Sequence, residues 1–416
     1  MNKKWITLLV SCLHLVICSG QLLINSDSIL ASARQDPAMK AYEQQMTYMQ
    51  QSNLNLPFVD QISLRTETDR FDISRQEYLA RVSVNGFNEI HQQRLLHEST
   101  ASSKGDMQRI YWHEALLERY EVIAAYRQVQ RELVMYHKLQ QVYEDKVTVL
   151  KKMAVYSVNA DVDELIETEF DLDNILLKIA EADALVEQLH EAIQVLYPMD
   201  SIDWQLDTSA YITPAQMEVV ITGLPQTVLQ NPEIIEKQAK IDQITAEYNY
   251  ERAKSNQVFD FFQVRYANLP FAQLEREWSV GIGLNLPIRG SSRVNMGELS
   301  IDKNETSQDM QLYIVELERQ VTNGRAQIVA LGRRFRLAHQ QWQDSQARFT
   351  LDHPANAQAD GPMILLNARE LQLKREENVL EIEREMMELY LNILDWTGQL
   401  SEAPVINYLS KELSAY

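Results

Sequence analysis

A heptad pattern that returns 200 residues later constrains this chain more than any single motif does. From Leu172 to Leu196 the apolar positions Leu172, Ile175, Ile179, Ala182, Val186, Leu189, Ile193 and Leu196 step by three and four without a break, the seam of a coiled coil. The positions one repeat later are Gln372, Arg375, Val379, Ile382, Met386, Leu389, Ile393 and Trp396, and six of these are apolar. Two helices of equal phase therefore stand one repeat apart. Asp36-Pro37 opens a helix to about Ser52 and Asn231-Pro232 opens one to about Ser255, proline being prepared for the first helical turn. A longer seam follows each: Trp112, Ala115, Arg119, Val122, Tyr126 and onward to Ala154, and Ile314, Leu317, Val321 and onward to Trp342. Each half reads helix, hairpin, long helix, tip, returning helix.

Between the helices the period changes to two. Phe58, Ile62 and Leu64 alternate with Val59, Gln61, Ser63 and Arg65, and after a turn at 68–74 Tyr78, Ala80, Val82 and Val84 alternate with Leu79, Arg81 and Ser83. In the second half Phe262, Val264 and Tyr266 alternate with Phe261, Gln263 and Arg265, and then Trp278, Val280, Ile282, Leu284 and Leu286 alternate with Ser279, Gly281, Gly283 and Asn285. Asp60 and Asp260 interrupt the apolar rows at the strand starts. Such strands suit a soluble half-buried sheet, or a barrel with lipid outside and water inside. In the barrel reading Tyr78, Val82, Val280, Ile282 and Leu284 face lipid, whereas Arg81, Ser279 and Asn285 face the lumen. Four strands cannot close, eight leave a lumen filled by side chains, and twelve from three copies is the smallest threefold solution with room for water. The helix expected from about Phe87 to Ala154 reaches roughly 100 Å at 1.5 Å per residue, a reach that a soluble enzyme does not need.

Composition narrows the compartment. Lys3 and Lys4 precede an apolar run from Trp5 to Cys18 and then Ser19-Gly20, the pattern of a secretory leader cut near Gly20–Gln21. Both cysteines, Cys12 and Cys18, fall inside it, so the mature chain is expected to hold no disulfide and no thiol site. No later stretch is apolar for long enough to span a bilayer as a helix, so a membrane crossing requires a closed barrel. With 39 Lys+Arg against 59 Asp+Glu the chain is strongly acidic, which excludes nucleic acid as a natural partner. Serine nucleophile elbows, phosphate-cradling glycine loops and histidine–carboxylate ligand clusters are missing from the sequence, so no enzyme, cofactor or metal site is expected.

The order of these segments resembles the TolC-like outer-membrane efflux proteins. Trp278-Ser279-Val280-Gly281-Ile282-Gly283-Leu284-Asn285-Leu286-Pro287-Ile288 is similar to that family's last barrel strand, and Gly290 to Arg293 to its exit into a long helix. Gln230-Asn231-Pro232-Glu233-Ile234 resembles the start of its second ascending helix, and Pro362 to Arg369 its second passage from tip to helix. The resemblance implies a mainly α chain with a small β part: two repeats that build, as a homotrimer, a 12-strand outer-membrane barrel on an α-helical periplasmic tunnel. It implies no catalysis, and it implies a periplasmic adaptor and an inner-membrane transporter as partners. The expected organisation is a signal peptide (1–20), a first repeat (21–200; hairpin 57–85, tip 154–165), an equatorial linker (201–229), a second repeat (230–400; hairpin 260–288, tip 350–362) and a C-terminal tail (401–416).

Two other readings stay open on the residues alone, a periplasmic coiled-coil adaptor and a structural helical scaffold. The adaptor requires a Gly- and Val-rich β-domain that the chain lacks, and the scaffold leaves the alternating strands unexplained. At the expected tips Asp161, Asp163, Glu164, Asp352 and Asp360 gather acidic charge. They are either solvated turns or, repeated by threefold symmetry, rings at a tunnel mouth that favour cations.

Overall fold

The computed structural model describes residues 22–52, 55–68, 76–156, 162–198, 204–207, 210–267, 278–284, 290–345, 348 and 361–416. The signal-peptide segment lies outside them, as do Asp161, Asp352, Asp360 and Asn285. The chain is mostly helical with a small sheet part. In chain order the elements are β1 (Leu22–Ile24), α1 (Ser26–Ala31), α2 (Pro37–Gln51), β2 (Val59–Thr68), β3 (Gln76–Val84), α3 (Phe87–Tyr156) and α4 (Val162–Leu196). There follow β4 (Trp204–Leu206), α5 (Pro214–Gly223), α6 (Pro232–Ser255), β5 (Phe259–Ala267), β6 (Trp278–Leu284), α7 (Gly290–Gln343) and α8 (Pro362–Trp396). Helix α3 has 70 residues, about 105 Å at 1.5 Å per residue.

Local chemistry sets several boundaries. Asn231 caps α6, its side chain accepting from the Glu233 N–H at 3.0 Å, and Pro232 takes the first helical position. Thr213 and Gln216 form a reciprocal capping box at the start of α5. Before α8, Gly361 stands at φ 96°, a left-handed conformation open to glycine at little steric cost, and Pro362 then opens the helix.

The chain divides into two compact units that cut across the sequence repeats. One comprises 37–111 and 229–317, and the other 1–36, 112–228 and 318–416. Each takes equivalent pieces of both halves. In the first unit β2, β3, β5 and β6 form one antiparallel sheet in the order β2-β3-β5-β6. In the second, a cluster of Met135, Leu139, Val142 and Tyr143 from α3, Ile175 and Ile179 from α4, and Leu373 and Leu380 from α8 joins three helices.

In three places the structure adds to the expectation. A single seam was expected along α3, but two stripes are buried: Ala115, Tyr126, Tyr143 and Leu150 on the expected seam, and Leu116, Tyr120, Ile123, Leu139 and Val142 beside it. The cause is that α3 packs on both α4 and α8 and so needs two apolar faces. The linker expected at 201–229 holds β4 and α5, and β4 pairs in parallel with β1. The segment 401–416 is not a free tail. Leu409 and Asn407 are fully buried, Ile212 N–H donates to the Leu409 carbonyl at 2.8 Å, and Tyr211 bridges Ser410. Asn407 is satisfied by Ser26 Oγ at 2.9 Å, Asp27 Oδ1 at 2.5 Å and the Leu409 N–H at 2.9 Å, as a polar group at that depth requires.

Candidate functional site

Strand register sorts the sheet into two faces. Ile62 pairs with Val82, Val82 with Phe262, and Phe262 with Ile282; Leu64, Ala80, Val264 and Val280 form the next row. Directly paired residues share a face. Tyr78, Val82, Val280, Ile282 and Leu284 therefore lie on one apolar face, and Arg81 and Ser279 lie on the other. The apolar face is not covered: Leu64 is 81% exposed, Val280 66% and Ile282 62%.

The two hairpins keep the 200-residue offset residue for residue, including a bulge in each at Asp60 and Asp260. The bulge explains why these carboxylates interrupt the pattern. The extra residue shifts the phase, so that Val59 pairs with Val84 and Phe259 with Leu284 on the apolar face. Val59, read from alternation as polar-facing, is corrected accordingly. At the opposite strand ends Tyr78, Tyr266 and Trp278 share one row, with ring centroids 6.4 and 5.0 Å apart. Six residues of strand separate this aromatic row from Val84 and Leu284, about 20 Å at 3.3 Å per residue.

The opposite face carries Gln61, Ser63, Arg65 and Glu67 on β2, Glu77, Arg81 and Ser83 on β3, and Gln263 and Arg265 on β5. Arg65 pairs with Glu67 at 2.7 Å and Arg265 with Glu77. Leu79, Phe261 and Ala267 are apolar members of this face.

In the other unit, α3 and α8 are joined by a ladder of hydrogen bonds and ion pairs that the heptad pattern does not reveal. His113 meets Asp395 at 2.7 Å, Arg131 meets Glu383 at 2.6 Å, Lys138 meets Glu376 at 3.7 Å, and Lys146 meets Glu370. Its signal was present in the sequence as basic residues on α3 facing acidic ones on α8 in reverse order, legible only once the two helices are known to be neighbours. Burial raises the Glu370 carboxyl, but hydrogen bonds and charge from Lys146 and Lys374 outweigh it, so Glu370 titrates below the ordinary carboxylate range. Burial, with Glu370 nearby, pushes the Tyr143 phenol far up. Arg119, a charged residue within the expected seam, is 1% exposed. It donates to Ser32 Oγ at 3.0 Å, Asp36 Oδ2 at 3.2 Å, and the Ala115 and Leu196 carbonyls at 2.8 and 3.2 Å.

Of the expected tip carboxylates, Asp163 and Glu164 stand in the first turn of α4, where negative charge complements the helix dipole. Among the described residues no group of three or more His, Cys, Asp or Glu could hold a metal ion, and no helix is long and apolar enough to cross a membrane.

No protein-family model matches the sequence, and no curated protein matches it. Solved structures do match in fold. The outer-membrane channel OprN superposes with TM-score 0.68 at 14% identity, over 90% of this chain and 89% of its own. CusC, described in terms of transmembrane channel formation, gives 0.66 at 12%, over 91% and 93%. The outer membrane protein VceC of Vibrio cholerae gives 0.63 at 11%, over 90% and 96%. The fold is thus that of the TolC-like channels that the sequence resembles, over nearly the whole length of both chains.

Proposed function

We propose that this chain is the outer-membrane channel subunit of a multi-component efflux or secretion system and that it catalyses no reaction. Three copies close a 12-strand barrel whose apolar face meets lipid, continued by a helical tunnel in the periplasm. The tips dock onto a periplasmic adaptor linked to an inner-membrane transporter, and solutes pass from there to the exterior. One observation carries this reading: an uncovered apolar face runs unbroken across all four strands, backed by a polar face with its own ion pairs. In water such a face is a liability; against lipid it is the required surface. Support comes from the free edges of β2 and β6, which need partners, and from the aromatic row at an interfacial position.

Membrane fractionation with an unheated gel tests the proposal. A heat-modifiable trimer in the outer-membrane fraction is expected, and a soluble monomer overturns it. The tip carboxylates are part of the same reading: Asp161, Asp163, Glu164, Asp352 and Asp360 ring the tunnel mouth in three copies. Asp163→Asn with Asp161→Asn then weakens divalent-cation block in single-channel recordings, whereas unchanged block reduces these residues to solvated turns.

A further inference from the structure

The two hairpins have kept their apolar face and changed the middle of their polar one. At the 200-residue offset, Ile62 matches Phe262, Leu64 matches Val264 and Val82 matches Ile282, all apolar. Across the sheet Gln61 is matched by Phe261, Ser63 by Gln263, Arg81 by Gly281 and Ser83 by Gly283. These four changes make one construction on β3, β5 and β6.

Phe261 lies flat over Gly283, where a Cβ would come within 2.2 Å of its ring. Gln263 lies over Gly281, where a Cβ would meet its amide nitrogen at 2.9 Å. Arg81 rests on both: its guanidinium carbon is 3.9 Å from the Phe261 ring centroid, and Nη2 donates to Gln263 Oε1 at 3.1 Å. The glycines thus let two side chains lie down, and these fix a guanidinium against the wall.

The charge on that guanidinium is not neutralised locally. Arg65 and Arg265, in the neighbouring row, are each engaged by a carboxylate, Glu67 and Glu77. Arg81 makes no ion pair among the described residues, and its Nε is buried without a partner. Its row mates are Ser63, Gln263 and Gly281, none of them acidic. In a chain of net charge −20, the middle of this face carries an uncompensated cation.

Building on the channel reading, we infer that Arg81 determines charge selectivity in the barrel. Repeated in each copy, it forms a fixed cationic ring on the water-facing wall that concentrates anions, inorganic ions and carboxylate- or phosphate-bearing solutes alike. The stack holds the charge flush with the wall, so the ring attracts without obstructing.

The test is the reversal potential of the purified full-length protein in neutral lipid bilayers under a KCl gradient. Arg81→Gln is expected to lower the chloride-to-potassium permeability ratio by about two- to threefold at 0.1 M salt, where the screening length is about 10 Å. The effect shrinks at 1 M, where that length is about 3 Å. Arg81→Lys, which keeps the charge and loses the planar stack, keeps the wild-type ratio. Ser83→Glu sets a carboxylate beside Arg81 with the stack intact and shifts the ratio in the same direction as Arg81→Gln, so it carries the test if that variant does not assemble. Conducting Arg81→Gln or Ser83→Glu channels with the wild-type reversal potential overturn this inference and leave the channel reading standing. Wild-type protein that never conducts overturns both.

Discussion

In the unit that holds the C-terminal segment, Ile29, Leu116, Ile382 and Leu409 are fully buried, and the ion pairs lie along a seam between helices. In the four-stranded sheet the arrangement is inverted. Leu64, Val280, Ile282 and Leu284 are exposed, while Arg81 and the Arg265–Glu77 pair occupy the opposite face. The same physics acts on both, because apolar surface is costly wherever it meets water. In the helical unit it is removed by other parts of this chain. In the sheet it stays exposed among the described residues. The two regions thus make opposite demands on their surroundings, and that is why the comparison says more about the protein than either region alone.

The comparison can be broken at its most buried point first. Replacing Arg119 with Met removes its hydrogen bonds to Asp36 and to the Leu196 carbonyl, and it is expected to cost about 3–5 kcal/mol, the usual loss on breaking a buried pair. Thermal unfolding in detergent measures it, and a variant as stable as wild type would show that the N-terminal segment is not held through this residue.

In the sheet the sensitivity should depend on the face. Ile282→Lys should cost about 2–4 kcal/mol if its face meets hydrocarbon, against little for Ser279→Lys on the other side. Yields of heat-modifiable trimer compare the two, and equal assembly sinks the assignment of faces.

The helix joint offers a pH-dependent test. The Glu370 carboxyl is held below its ordinary range, so its contribution is complete above the unfolded value of about 4.3 and is lost as pH falls through the lower folded value. Glu370→Gln should therefore lose about 1.5–3 kcal/mol at neutral pH, and the gap to wild type should close in acid. Melting curves at pH 7 and at pH 3 that differ by the same margin contradict this account.

The smallest effect belongs to Arg65→Gln. Its pair with Glu67 is well exposed in the chain, so stability should change by about 0–1 kcal/mol. A large loss would mean that this face is drier than proposed.

Much of this was legible in the sequence because periodicity is a local property. Steps of three and four predict helices, alternation predicts strands, and the observed α3 and α6 begin and end within a few residues of the expected positions. The faces of the strands were legible too, since side chains alternate about any extended backbone. Val59 escaped because a bulge changes the phase, and a bulge is a property of the pair rather than of the strand. The burial of Arg119 and His113 escaped because a polar group is tolerated in a core only if partners distant in sequence meet it: Asp36 and Leu196 for the first, Asp395 and Ser401 for the second.

By itself, then, the sequence determined the elements, the duplication and the polarity of each strand face, all of which depend on neighbours a few residues away. Only the tertiary structure decided the sheet order β2-β3-β5-β6, the second buried stripe of α3 and the burial of Asn407 and Leu409 in a segment that looked like a tail. The stack of Arg81 on Phe261 over Gly283 belongs with these, since three strands must lie side by side before a glycine on one can make room for an aromatic ring on the next.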